Sequence, residues 1–143
     1  DYEEDLWKIP ASRMKNRKPH LVPLTNPIKD LLEQLKRITG GREYVFWSPR
    51  GVKKKHIDES ALNTHLKNQL GYSGRQTAHG LRKLPATAGQ DVLKFPYDII
   101  SRQMSHQQGN KVRQAYDQSQ MLEERRKFMN AWCDAVIEHG MEI

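Results

Sequence analysis

Cysteine is almost missing from this sequence. Its one thiol, Cys133, excludes an intrachain disulfide and a thiolate metal cluster, and points to a reducing compartment. No apolar run approaches the length needed to cross a bilayer, and the acidic opening from Asp1 to Asp5 is unlike a signal peptide. A soluble, cytoplasmic chain with no membrane partner is the expectation. Repeats and low-complexity segments are absent as well, which excludes an array architecture. His20, His56, His65 and His139 have no ligand-like spacing, and no cysteine or carboxylate arrangement completes a zinc site. No metal and no cofactor are expected, and these four histidines read as structural or exposed.

Acidic residues are in deficit: 17 Asp and Glu stand against 24 Lys and Arg, for a formal net charge of +7. Basic charge concentrates phosphate and gains from counterion release, so a polyanionic partner follows naturally. The competing reading is a solvated basic surface, and charge alone names no function. With 143 residues, 36% hydrophobic and 29% charged, the chain suits one folded domain with a real core and a largely helical surface.

The chain opens at Asp1 without Met and enters a strand pattern within about five residues, which reads as an excised fragment. Leu6 to Pro10 and His20 to Leu24 are short apolar runs flanking a basic stretch, as in an antiparallel hairpin with a long tip. Asn26 and Pro27 form an N-cap and first-turn pair. Ile28, Leu31, Leu32, Leu35 and Ile38 then keep helical spacing up to Gly40. Tyr44 to Trp47 reads as a core-anchoring loop or short strand, and Asp58 as the cap of a helix with Leu62, Leu66 and Leu70 on one stripe, ended by Gly71.

Thr77 can cap the next helix, which Pro85 is expected to disturb. Further helices are expected from Tyr97 or Asp98 to Ser105, from Asn110 through Tyr116, and over the last stretch. That last helix should turn Leu122, Met129, Trp132, Cys133 and Val136 inward, with Glu123, Glu124, Arg125, Arg126 and Lys127 around its first turns. Trp7, Trp47 and Trp132 read as packing residues rather than base-stacking platforms.

Three clusters carry chemistry. His79 and Arg82, three apart, would share one helix face. Arg offers a planar fork matching two phosphate oxygens, while His donates a hydrogen bond or moves a proton near neutral pH. By itself this spacing is common. A second His, His106, precedes Tyr116 by ten positions, and Tyr116 alone reads equally as a packed aromatic. Arg13 and Lys15 lie in the hairpin tip, where a lone Lys is normally solvated.

Taken in order, the hairpin Lys15, the Thr77 to Arg82 box, His106 and Tyr116 resemble the catalytic boxes of the tyrosine recombinases. The text from Pro96 to Ala135, with its Glu-Glu-Arg-Arg segment, is similar to integrases of satellite prophages and genomic islands. The resemblance implies a mainly α (α+β) catalytic domain, with a small antiparallel hairpin at its N-terminal edge, spanning residues 1–143 as one truncated unit. It implies site-specific DNA recombination, without metal, in the bacterial cytoplasm at the nucleoid.

By the same resemblance Tyr116 attacks a DNA phosphodiester to form a 3′-phosphotyrosyl link and free a 5′-hydroxyl. Arg82 binds the scissile phosphate, His106 donates to it, His79 positions it and handles the Tyr116 proton, and Lys15 protonates the leaving 5′-oxygen. These residue types suit the task, because a free phenol titrates about three pH units above neutrality, so ionising it costs about 4 kcal/mol without nearby help. Arg13, Lys53, Lys54, Lys55, Arg75 and Arg113 are the candidate DNA contacts, although a triple lysine is also an ordinary solvated loop.

Implied partners are double-stranded attachment sites, a homotetramer in the synapse and accessory DNA-bending proteins. The last helix is the candidate contact between protomers, or packs onto its own core. The family pattern has a further Arg in an upstream helix, and nothing before Leu6 supplies it. The upstream DNA-binding domains are missing too, so this part alone should be a poor catalyst. Two other readings stand beside recombination: a non-catalytic basic DNA-binding or assembly module, and a type IB topoisomerase-like enzyme.

Overall fold

The computed structural model describes residues 2–3, 5–48, 55–106 and 121–140. In chain order they form strands β1 (Tyr2–Glu3), β2 (Leu6–Ile9) and β3 (His20–Pro23), then helices α1 (Asn26–Thr39), α2 (Ala61–Asn68), α3 (Ala78–Asp91), α4 (Tyr97–Gln103) and α5 (Leu122–Glu138). A 3-10 turn at Ala11–Arg13 opens the hairpin tip. The chain divides into two compact units, Asp1–Pro27 with Pro85–Ile143, and Ile28–Leu84.

The first unit holds a three-stranded antiparallel sheet in the order β1-β2-β3. The expected hairpin is β2 and β3, with Leu6 opposite Pro23 and Ile9 opposite His20. β1 is an addition: Asp5, at φ 59, turns the chain left-handed so that Glu3 pairs with Leu6. Aspartate tolerates that conformation better than most side chains. The backbone bond from Leu24 N to Asp5 O extends the β2–β3 pairing past Pro23.

Behind the sheet, α5 packs on β3 and on α4. The core is Ile99, Ile100 and Met104 of the α4 segment around Phe128 of α5, flanked by Ala86, Leu93, Phe95, Met121 and Met129. Phe95 meets Phe128 edge-on at 5.3 Å between centroids, a favoured aromatic geometry. Gly89 in α3 is part of this packing. A Cβ there would lie 2.7 Å from Phe128 Cε2 and 2.9 Å from Ile100 Cδ1, so only glycine lets these elements approach so closely.

Three expectations need correction in this unit. The inward face of α5 is led by Phe128, fully buried, and by Arg125, only 1% exposed, neither of which is among the residues expected to turn inward. Trp7, on β2, is 50% exposed and is no core residue. Finally, α3 runs unbroken from Ala78 to Asp91 with Pro85 inside it. Proline removes one backbone donor, but the capped first turn and the buried Gly89 hold the helix on either side.

In the second unit, α1 covers the expected residues and ends where Gly40 takes φ +68. Its apolar stripe is not buried, and Ile38 is 82% exposed. Asp58 caps differently from expectation: its carboxylate accepts the amide and hydroxyl of Ser60, bracing the turn before α2 rather than the helix itself. Of the expected leucine stripe only Leu66 is buried, while Leu62 and Leu70 are exposed.

Gly71, at φ +70, then reverses the chain, and Tyr72 N bonds to Leu66 O at 2.9 Å. Trp47 pairs with His56 in an antiparallel bridge. The aromatic run is a surface feature rather than a core anchor: Phe46 is exposed, Tyr44 packs on the His56 ring, and the Arg42 guanidinium lies 3.5 Å over Trp47.

Candidate functional site

In the second unit, the loop after α2 is wound by backbone bonds, with Arg75 N and Gln76 N both donating to Tyr72 O, and delivers Thr77 to the start of α3. Thr77 Oγ1 accepts Gly80 N at 3.0 Å, the N-cap geometry expected from the sequence. A second tie holds the helix entrance: Ala78 N donates to Asn63 Oδ1 of α2 at 2.8 Å. These bonds satisfy amides that a helix start leaves open.

On the turn so fixed, His79 and Arg82 are three apart and both exposed, which brings the two groups onto one face. Between them, a Cβ on Gly80 would fall 1.9 Å from Gln76 Oε1, the free end of a side chain that accepts Thr77 N, so a larger residue there would displace that carboxamide. Gln76 is a supporting residue that sequence reading passed over. Arg75 is exposed beside the Tyr72 ring, 5.7 Å from its centroid, and Lys55 is exposed with its carbonyl accepting Ser48 N.

In the first unit, Arg13 closes the 3-10 turn, and Met14, Asn16, Arg17 and Lys18 wind the tip through short-range bonds: Arg17 N donates to Met14 O, and Lys18 N to Asn16 Oδ1. Lys15 is exposed at the crest of this wound tip. His106 is exposed just beyond α4, where Ser105 turns left-handed at φ 52 and His106 N bonds to Ser101 O. Lys53, Lys54, Arg113 and Tyr116, together with the expected helix from Asn110 through Tyr116, lie outside the described residues.

Beneath the tip and the α4 end lies a polar layer that was not anticipated. His20 is buried and its Nε2 lies 3.2 Å from Gln103 O. Arg125 Nε donates to Gln103 Oε1 at 2.9 Å, and Arg125 Nη2 donates to Leu21 O. Burial, and then the charge of Arg102, pull the Arg125 guanidinium below its ordinary range to about 10, which leaves it protonated at neutral pH. Thr25 Oγ1 and Cys133 Sγ are 3.2 Å apart in the same layer. A signal for Arg125 did exist: it falls three before Phe128 and on the helical stripe through Met129, Trp132 and Val136, and only its charge argued against burial.

No helix among the described residues is long and apolar enough to cross a membrane. Residues 1–123 match the family model described as the phage integrase family. The chain is 39% identical over 137 residues to the prophage integrase IntA of Escherichia coli (strain K12), covering 95% of this chain and 32% of that protein. It is 37% identical over 134 residues to the integrase of Shigella phage Sf6, covering 94% and 34%. It is 34% identical over 149 residues to the integrase of Enterobacteria phage P4, again covering 94% and 34%. No solved structure matches. The chain thus spans about a third of the length of the curated relatives it matches. With the His79 and Arg82 box on a capped helix, a basic hairpin tip, and a family model that covers most of its length, the chain belongs to the phage integrase family of tyrosine recombinases.

Proposed function

We propose that this chain is the Tyr116-bearing part of a catalytic domain that cuts and rejoins DNA at attachment sites, integrating or excising a mobile element. The observation that carries this reading is the exposed His79 and Arg82 pair on the capped first turn of α3, within a chain of the phage integrase family. A planar guanidinium beside an imidazole suits a phosphate that gains charge as phosphorus is attacked.

In this mechanism Tyr116 Oη forms the bond to phosphorus as the bond to the 5′-oxygen breaks. His79 takes the phenolic proton, Arg82 and His106 hold the non-bridging oxygens, and the Lys15 ammonium gives its proton to the leaving 5′-oxygen. The phosphotyrosyl link conserves the energy of the phosphodiester, so the strands rejoin without ATP. Arg13, Lys53, Lys54, Lys55, Arg75 and Arg113 hold the duplex through its phosphates, which makes binding fall with salt. A second Arg and DNA-binding domains belong to other parts of the full-length protein, which acts as a tetramer at the bacterial nucleoid with DNA-bending accessory proteins.

The test is a nicked suicide substrate carrying the attachment site, offered to the full-length protein. A covalent protein–DNA adduct should form and should vanish in Tyr116→Phe. An undiminished adduct in that variant would exclude Tyr116 as the nucleophile.

A further inference from the structure

We propose that Arg125 is a positioning residue for strand cleavage, tying the strand that leaves the Lys15-bearing tip to the helix that ends beside His106; this deepens the function proposed above and rests on it. Leu21 lies six residues after Lys15, on β3, and Gln103 lies three before His106, at the end of α4. Arg125 reaches both from α5: Nη2 donates to Leu21 O, and Nε donates to Gln103 Oε1. His20, the first residue of β3, adds a parallel strut through its ring contact with Gln103 O.

The chemistry of the side chain favours a directional role over a packing one. Arg125 is 1% exposed and its two acceptors are neutral, so the guanidinium bears the cost of burial without a carboxylate among these contacts. An apolar side chain of similar volume would fill the space without that cost. What the planar fork supplies is a fixed angle between two elements, which neither lysine nor methionine reproduces. Those two elements are the ones that carry the proposed proton donor and one phosphate ligand.

Proton donation by Lys15 gives a readout that plain destabilisation would not move. With oxygen at the 5′-bridging position, the leaving group takes a proton from Lys15 as its bond to phosphorus breaks. With sulfur there it leaves as a thiolate and needs none. The experiment measures single-turnover adduct formation by full-length protein on both substrates, for wild type, Lys15→Ala, Arg125→Met and Arg125→Lys, with circular dichroism reporting the fold.

Lys15→Ala should lose about a hundredfold on oxygen and recover on sulfur, as expected for a lost general acid. Arg125→Met and Arg125→Lys should lose about tenfold or more on oxygen and recover part of that loss on sulfur, the unrecovered part being the share carried through His106. If Lys15→Ala is rescued but the Arg125 variants are equally slow, or equally fast, on both substrates, the positioning role is overturned while the reading of Lys15 stands. If sulfur does not rescue Lys15→Ala, the reading of Lys15 fails and this inference falls with it. Unfolding of both Arg125 variants would make the residue a folding element only and would also overturn the proposal.

Discussion

Thr77 Oγ1 and Gly80 N are joined at 3.0 Å, and this bond closes the turn on which His79 and Arg82 lie. A cap residue thus governs the helix start that carries the two groups proposed to hold phosphate. Thr77→Ala should cost about 1 kcal/mol, seen as a lowered thermal midpoint, and Thr77→Ser should restore it. Adduct yield on the suicide substrate should fall with Thr77→Ala and return with Thr77→Ser. An unchanged midpoint in Thr77→Ala would show that the cap adds nothing to the helix.

Arg82 separates charge from geometry. Arg82→Ala should lower the rate of adduct formation by about a hundredfold to a thousandfold, as for other donors aimed at a transition-state oxygen. Arg82→Lys keeps the charge without the fork and should recover only a small part. Because Arg82 is exposed, both variants should melt close to wild type, and a large stability loss in either would point to a structural role instead.

The buried pair of Arg125 and Gln103 yields an ordering. Gln103→Leu strands a buried guanidinium with one acceptor fewer and should cost about 3 kcal/mol or more. Arg125→Met removes the charge and leaves two neutral acceptors unpaired, which should cost about 1–3 kcal/mol. Urea unfolding of the two variants decides the order, and a reversed order would mean that the guanidinium is not held by Gln103.

Burial, followed by the charge of Arg102, depresses the Arg125 guanidinium to about 10, and the sign of its pH effect follows. Below that value both folded and unfolded chains keep the proton, so the stability difference between wild type and Arg125→Met should be flat from about pH 6 to about pH 9. Above about 10 the unfolded chain binds the proton more tightly than the folded one, so wild type should gain on the variant as pH rises. A slope between those neutral values, measured by denaturant titration, would assign the linkage to another group.

Gly89→Ala offers a test of packing against propensity. Alanine favours a helix by about 1 kcal/mol over glycine. Its Cβ, however, would press on Phe128 and Ile100, and overpacking of this kind costs about 1–3 kcal/mol. Net destabilisation is expected, relieved in Gly89→Ala/Phe128→Leu, and a stabilised single variant would show that the ring can move aside.

Much of the helical frame was legible because its signals are local. Thr77, the Asn26 and Pro27 pair, Gly40 and Gly71 mark boundaries through backbone chemistry that needs no tertiary context. Burial was less legible. Periodicity placed Leu62, Leu70 and Ile38 on stripes, yet these are exposed, since a stripe says which residues share a face and not what covers it. Arg125 failed in the opposite direction: its charge suggested solvent, and acceptors far away in sequence, Leu21 and Gln103, made burial tolerable. Of the candidate site, the His79 and Arg82 spacing was readable from one helix turn. The ties under the Lys15 tip were not, because they join residues more than eighty positions apart.

Cys133 has a use unrelated to recombination chemistry. It is the chain's single thiol, 6% exposed, and it faces Thr25 Oγ1 at 3.2 Å. A disulfide reagent in solvent reaches that sulfur only when α5 parts from its neighbours, so the labelling rate in native buffer clocks excursions of the first unit out of its packed form. Its slowing on addition of attachment-site DNA would time how firmly the nucleic acid clamps that unit, with no probe installed.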